Sequence, residues 1–518
     1  MKNNYLSMKS VVKAAFLLVF SIATRAQIQP QSDYTVSPIP YQVYSATQAV
    51  QGTNDDQLSL AIPLTFDFEY FGITYSQVNV STNGYISFTP SAGGVFSPWN
   101  FSLSIPNSSF EVKNAFLGCY QDLNNSNAEG TLTYSVIGSA PYRKFVVLFD
   151  NHSLFSCLTL KSSFQMVLYE TLNILDVQLI DKQNCPTWNS GRSVTGIIDQ
   201  TGLLGLTPPG RNTGSWTAFH EGWRFQRPSA TANSYLYAKC DDDADGIVTF
   251  NLQVVQNDLS SADPLLVSFY ETEADAISQT NAISNLNYVN TTANSQIIYA
   301  NNNGEVKAVI LRVIACENNY DLDSVATADE DLNADTNLAN DDTDLDGIPN
   351  FIDNDDDGDM ILTSVEYVFP RNANSAQSLI DTDGDSIPNY LDNDDDGDGV
   401  LTINEDYNNN NNPGDDDTNG NSIPDYLENA VALGVDNFTV QKEVTIYPNP
   451  TSSVLNIDNK SNESVTAISI YNLNGALVKH LKSSTSLQSI SVTDLEMGVY
   501  FVKIQMNSKV LNYKFIKK

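Results

Sequence analysis

Oxygen-bearing side chains recur at fixed spacing between residues 342 and 428. In twelve-residue frames, the first window offers Asp342, Asp344, Asp346, the Ile348 carbonyl, Asn350 and Asp353 at positions 1, 3, 5, 7, 9 and 12. The second offers Asp355, Asp357, Asp359, Thr363 and Glu366, and the third Asp381, Asp383, Asp385, Asn389 and Asp392. The fourth offers Asp394, Asp396, Asp398, Thr402 and Glu405, and the fifth Asp417, Asn419, Asn421, Asp425 and Glu428. Calcium takes six to eight hard oxygens, and a loop presenting them at these positions wraps one ion. Magnesium prefers a few carboxylates and several waters. The spacing therefore predicts Ca2+ as the bound cofactor.

The register repeats. Residues 344–359 recur as 383–398, a shift of 39, and a weaker copy follows at 419–428. A solvated acidic linker accounts for the charge but not for this register, nor for the Ile-Pro insert followed by an aromatic residue in three frames. Gly347 and Gly399 stand at position six, where the loop turns sharply, whereas Met360, Ser386 and Ser422 occupy it elsewhere and predict weaker or distorted loops. Pro349, Pro388 and Pro424, with abutting frames, exclude paired helix–loop–helix units. A shorter copy, Asp241–Gly246, has Leu252 at position twelve, so a bare turn and an ion site both fit it.

The charge balance isolates this segment. The chain has 518 residues, 62 acidic and 26 basic, for a net charge of −36. Between Asp321 and Glu428 lie 31 acidic residues and one basic residue, leaving the rest at only −6. Such a chain lacks the basic footprint of a nucleic-acid binder and is not expected to dock on anionic membranes.

The elements around the array read as strands. Leu58–Ile62, Phe66–Tyr70 and Val78–Ser81 alternate with the two-residue period of half-buried strands, and Asn83-Gly84 marks a hairpin before Tyr85–Phe88. Further strands are read at 131–134, 144–149, 163–169 and 174–180. The fold class is all-β: multidomain β-sandwiches joined by a calcium-binding repeat segment with little regular structure. The expected parts are a signal peptide at 1–26, a β-sandwich at 27–228, a second sandwich at 236–318, the repeats at 319–430, a linker at 431–443 and a final β domain at 444–518. Asn408–Asn412 reads as a polar linker within the repeats.

Lys2, Lys9 and Lys13, the apolar run Ala14–Ala23 and Ala26 form the pattern of a secretory signal. No later apolar run approaches the ~20 residues of a spanning helix, so no transmembrane segment is expected. Export permits disulfides. Cys157 with Cys185 and Cys240 with Cys316 are the favoured pairs, leaving Cys119 as a buried thiol.

Four resemblances follow from these residues. Phe66–Gly72 with Val78–Phe88, closed by Arg211-Asn212, Trp216 and Glu221–Phe225, resembles nidogen-like extracellular domains. That implies an extracellular β domain and no particular reaction. The abutting acidic frames resemble thrombospondin type 3 repeats, which implies ions standing in for a hydrophobic core. Residues 236–318 look like an immunoglobulin-like sandwich by length, without its tryptophan between the cysteines. Ile446–Thr451, Ile468–Gly475 and Gly498–Ile504 resemble the C-terminal sorting domain of type IX secretion substrates of the Bacteroidetes. That implies the type IX secretion machinery as partner through residues 444–518, removal of this domain, and surface attachment or release.

Catalytic motifs are missing. His152, His220 and His480 are scattered, and no nucleophile elbow, H-E-x-x-H helix or phosphate loop occurs. The expectation is a secreted or cell-surface calcium-binding protein, not an enzyme. It would be an adhesin or other extracellular binding protein whose 27–228 domain holds an unknown extracellular glycan or protein ligand, raised on a calcium-stiffened stalk. A secreted carbohydrate-active or proteolytic enzyme using carboxylates such as Glu69 or Glu170, and a structural matrix component, are the alternatives.

Overall fold

The computed structural model describes residues 33–126, 130–227, 234–369, 379–429, 444–459, 465–472, 477–482, 489–506 and 510–518. The expected signal at 1–26 and linker at 431–443 lie outside them. The chain divides into two compact units, Met1–Ala432 and Leu433–Lys518.

Alternation became strands where it was strongest: Ile62, Leu64, Phe66, Phe68 and Tyr70 are all buried while the residues between them are turned outward. The first domain comprises β1 (Thr35–Ile39), β2 (Gln48–Ala49), β3 (Ile62–Tyr70), β4 (Ile73–Ser81), β5 (Tyr85–Ser87), β6 (Ala115–Tyr120), β7 (Leu123–Asn124), β8 (Thr131–Ile137), β9 (Lys144–Leu154), β10 (Cys157–Tyr169), β11 (Leu175–Lys182), β12 (Arg192–Ile198), β13 (Gly205–Leu206), β14 (Gly214–Ser215) and β15 (Ala218–Gln226). One sheet runs β1-β15-β11-β10-β9-β8-β2, with β7 beside β9. The other runs β13-β12-β6-β5-β4-β3, with β14 beside β12. Phe68, Val80, Phe116, Phe149, Phe164, Val177 and Phe225 belong to the core between them. The expected Asn83-Gly84 hairpin joins β4 to β5. Gly84 has φ of +88°, and an added Cβ would lie 2.3 Å from the Cys119 carbonyl, so this turn needs glycine. Cys157–Cys185 is formed, and Cys119 is a buried free thiol pushed up to about 12 by burial.

The outer face of the first sheet is not left to water. Lys144, Gln165, Asp176, Gln178 and Arg224 are all buried there. Arg224 makes two 3.1 Å bonds to Asp176, and Gln165 exchanges bonds with the Tyr44 backbone at 2.9 and 2.7 Å. The covering layer comes from the chain around Pro40 to Tyr44 and from the acidic segment. Tyr320, Leu338, Ile348, Phe351 and Ile352 join Tyr44, Tyr142, Val146, Val167 and Tyr169 in one apolar cluster. The expected projecting stalk is therefore corrected: the segment packs onto the first domain within a single compact unit. Its first apolar insert, with Tyr320 and Leu338 before it, supplies the contact.

Residues 234–316 depart from the immunoglobulin-like sandwich. The strands β16 (Ser234–Cys240), β17 (Thr249–Asn251), β18 (Val267–Tyr270), β19 (Asn287–Val289), β20 (Ser295–Asn302) and β21 (Glu305–Ile314) are interleaved with helices α1 (Leu252–Leu259) and α2 (Glu273–Ser278). The main sheet runs β16-β21-β20-β18, with β16 parallel to β21, while β17 pairs only with β19. Asn251 and Thr272 cap the two helices, a signal that the strand pattern around Val248–Leu252 obscured. The Cys240–Cys316 disulfide ties the end of β16 to the chain leaving β21.

In the second unit, β22 (Val444–Tyr447), β23 (Val454–Asn459) and β26 (Ser489–Ser491) form one sheet. β24 (Val465–Asn472), β25 (Leu477–Lys482), β27 (Gly498–Met506) and β28 (Val510–Lys517) form the other. Leu455, Ile468, Ile470, Val502, Ile504 and Phe515 lie in their shared core.

Candidate metal centre

All five frames fold by one set of local bonds. The N–H of position five donates to the position-three side chain in every frame: Asp346 to Asp344, Asp359 to Asp357, Asp385 to Asp383, Asp398 to Asp396 and Asn421 to Asn419, at 2.9–3.3 Å. The N–H of position seven donates to position five at 2.7–2.8 Å, from Ile348, Ile361, Ile387, Val400 and Ile423. These turns swing successive side-chain oxygens toward one centre, as a hard cation requires. Each frame then closes where the position-nine N–H meets the carbonyl preceding position one, as in Asn350 to Asp341 and Thr402 to Asn393 at 2.9 and 3.0 Å.

Position six turns through positive φ in every frame. Gly347 and Gly399 have φ of +92° and +90°, and Met360, Ser386 and Ser422 have +80°, +87° and +74°. The expected distortion at the three non-glycine positions is thus not seen, because the bonds from positions five and seven hold the turn. A residue with a Cβ costs about 1–2 kcal/mol there relative to a relaxed backbone.

The position-nine side chains, expected as ligands, are also hydrogen-bonded across the loop. The Asn350 carbonyl oxygen accepts the Thr343 N–H at 3.0 Å, and Asn389 does the same for Thr382 at 2.9 Å. Thr363 accepts from Asp356, Thr402 from Asp395 and Asp425 from Thr418. These five side chains brace position two across the loop. Their oxygens are the same chemical type as a ligand oxygen, so the spacing fits both roles.

Oxygens at positions 1, 3 and 5 gather in the first two frames. Carboxylate oxygens of Asp342, Asp344 and Asp346 lie within 4.8 Å of one another, as do those of Asp355, Asp357 and Asp359. Asp359, Glu366 and Asp395 form a further group at the same spacing. Asp395, at position two of the fourth frame, was not among the expected ligands; it reaches the second frame from 29 residues beyond Glu366. Burial raises Asp392 of the third frame, with the charges of Asp385 and Asp383 adding to it, and burial raises Glu405 of the fourth, with Asp396 and Asp398 adding to it. Asp381 and Asp394 hold the position-six N–H of their own frames at 3.1 Å.

Many of these oxygens lack any hydrogen-bond partner although buried: one each on Asp342, Asp355, Asp357, Asp359, Asp394, Asp396 and Glu405, and both on Glu366. An unpaired buried carboxylate is expensive, so charge of this density calls for cations or protons. Burial pushes Asp353 up to about 8, Asp359 to about 7, and Asp395 and Glu405 to about 8, with neighbouring carboxylates adding to the effect. Burial also drives Glu366 far above the ordinary range. The donor set, all oxygen and mostly carboxylate, fits calcium.

The fifth frame behaves differently. Asn419 and Asn421 each donate a 2.7 Å bond to Glu428, so positions three and five are tied to position twelve by amide–carboxylate bonds. In the shorter copy, Asp241 accepts the Gly246 N–H at 2.8 Å and Asp245 that of Ile247 at 2.7 Å, the same turn. Asp241, Asp242 and Asp243 gather their oxygens there, at the surface. Asn408–Asn412, expected as a linker, is folded too: Asn408, Asn410 and Asn412 all donate to Asp415, and Asp406 accepts from the Asn410 and Asn411 N–H groups.

Comparison with known proteins matches four parts of the chain to families. Residues 33–239 match the NIDO related family and residues 445–518 the secretion system C-terminal sorting domain. Residues 236–308 match the Flavobacterium inter-domain disulphide bond domain, and residues 320–379 the BamM C-terminal family. No curated protein matches. Among solved structures, a biofilm associated protein, BSP domain, is similar at 12% identity over 79% of this chain and 52% of that one, with a TM-score of 0.12. The chain spans about half the length of that structure. The nidogen-like and sorting-domain resemblances agree with the first two matches. The sorting domain marks the chain as a type IX secretion substrate, delivered to the cell surface or the medium. No helix among the described residues is long and apolar enough to cross a membrane.

Proposed function

We propose that this exported chain is a calcium-loaded extracellular binding protein of adhesin type, and that it is not an enzyme. The observation that carries the calcium reading is the set of buried, partnerless carboxylate oxygens on Asp355, Asp357, Asp359 and Glu366. Ions held there neutralise the array and fix its first apolar insert against the outer sheet of the first domain. Calcium then rigidifies a single body, the NIDO-related domain and its acidic cover, and that body presents the ligand surface.

The positions of the histidines support binding over catalysis. His220 is stacked between Tyr41 and Phe219, at ring distances of 4.3 and 3.9 Å. His152 is buried against Phe149, and His480 bonds to Ser469. The candidate carboxylates are engaged as well: Glu170 with Arg143, and Glu69 with Arg227. The test is calorimetric titration of calcium into the chelator-treated secreted chain, with chain dimensions followed by small-angle scattering. Uptake of several ions with compaction is expected; no uptake would overturn the reading.

A further inference from the structure

We propose a further calcium site, outside the five frames, that staples the acidic array to the first domain: Asp321, Asp323 and Glu330, completed by Asp356 from a distant loop. The proposal rests on the calcium reading of the array and adds a junction site to it.

Three carboxylates come from one turn. Asp321, Asp323 and Glu330 place oxygens within 4.8 Å of one another, and all three are buried. The Asp323 N–H donates to Asp321 and the Val325 N–H to Asp323, at 3.4 and 2.9 Å. Ser324 between them has φ of +89°, the position-six value of the five frames. Counting from Asn319, Glu330 falls at position twelve. The sequence hides this frame because Asn319, Ser324 and Thr327 stand where carboxylate, glycine and brace residues are easier to recognise.

The fourth carboxylate is the independent observation. Asp356 is 2% exposed, and neither of its oxygens has a hydrogen-bond partner. The charges acting most on it are Glu330 and Asp323, ahead of its own neighbours Asp353 and Asp355. Both oxygens of Glu330, itself 2% exposed, also lack partners, as does one oxygen each of Asp321 and Asp323. Six buried oxygens on these four carboxylates thus lack hydrogen-bond partners. A bond between Asp321 and Asp323 still leaves both oxygens of Glu330 and of Asp356 without a partner. A cation accepting six to eight oxygens at flexible geometry satisfies them.

The nearest basic group cannot replace that ion. Lys144, on β9, sends its ammonium to the carbonyls of Tyr320 and Asp321 at 3.0 and 3.4 Å and lies over the Tyr44 and Tyr169 rings. It holds the backbone of the site instead of its carboxylates. One ion at this point would therefore fix three things together: the chain just beyond the Cys240–Cys316 disulfide, the second frame through Asp356, and the first sheet through Lys144.

The test counts ions on the full secreted chain by native mass spectrometry, and follows hydrogen exchange with calcium present. Glu330→Gln and Asp356→Asn keep side-chain size and remove one charge each. Each is expected to lose one ion, the same one, so the double variant loses no second ion. Amide protection should fall in residues 317–330 while the core strands β9 and β10 stay protected, which shows the variants fold. If the wild-type chain takes up calcium but both variants keep the full count, or the double variant loses two ions, the junction site is overturned and the array reading stands. If the wild-type chain takes up none, both fall.

Discussion

The second and fifth frames share a backbone and differ in what fills it. In residues 355–366, four carboxylates face inward, buried, with oxygens that meet no donor. In residues 417–428, two of the corresponding positions are asparagines, and their amides bond Glu428 directly. On the calcium reading proposed above, the first arrangement is a loop stabilised by an ion. The second is a loop that has supplied its own donors. On that reading one scaffold holds a site whose folding is coupled to metal and another whose closure is internal.

The largest expected effect is chelation. A Glu-specific protease should cut after Glu366 rapidly in chelator and about 100-fold more slowly when calcium stands at 100 times its dissociation constant, corresponding to about 2.7 kcal/mol of binding stabilisation. Cleavage after Glu428 should change by less than threefold, roughly 0.6 kcal/mol. Equal calcium dependence at the two sites would break the comparison.

Asp359→Asn comes next, because Asp359 belongs to two carboxylate groups and is 0% exposed. With saturating calcium the variant should lose an ion and about 2 kcal/mol of stability in urea unfolding. In chelator the sign reverses: a buried charge has been removed, and the midpoint should equal or exceed that of the unaltered chain. A loss of the same size in both conditions would mean that Asp359 serves packing alone.

Proton dependence sharpens the same point. Asp353, Asp359 and Glu405 titrate in the folded chain near 8, 7 and 8, against an ordinary carboxyl range near 4. Between those limits the folded state binds more protons than the unfolded one, so stability without metal falls as pH rises. It is fully present below about pH 4 and lost through about pH 8. In chelator, the urea midpoint of the first unit should be higher at pH 5 than at pH 8.5. With calcium the slope should invert, since the ion binds only deprotonated ligands. A flat midpoint in chelator would remove the electrostatic basis for an ion-dependent second frame.

The spacing of carboxylates made the five registers legible, and alternation made strands such as Ile62–Tyr70 legible, because both patterns are local. The docking of the array was not. Lys144, Gln165, Asp176, Gln178 and Arg224 are polar side chains on strands and carry no local sign of burial, and only the fold shows Tyr320, Ile348 and Phe351 packed on that sheet. Asp356 and Asp395 were missed for a related reason. At position two they meet groups remote in sequence, although Asp395 also accepts from Thr402 of its own frame. The helices α1 and α2 were hidden in a segment too short for clear helical periodicity.

The smallest effect tests the fifth frame from inside. Asn421→Ala removes one of two amide donors to Glu428 at an exposed position. The Ile423 N–H also loses its acceptor, but it can turn to water there. The expected cost is about 1 kcal/mol, the net value of an ordinary hydrogen bond, and it should be the same in calcium and in chelator. Asn419→Asp with Asn421→Asp makes the opposite change, replacing donors with carboxylates beside Glu428. That chain should be less stable in chelator and should take up one more ion in calcium than the parent, converting the fifth frame into the likeness of the second. If the double substitution adds no ion, the difference between the two frames lies in their backbone surroundings and not in the amides.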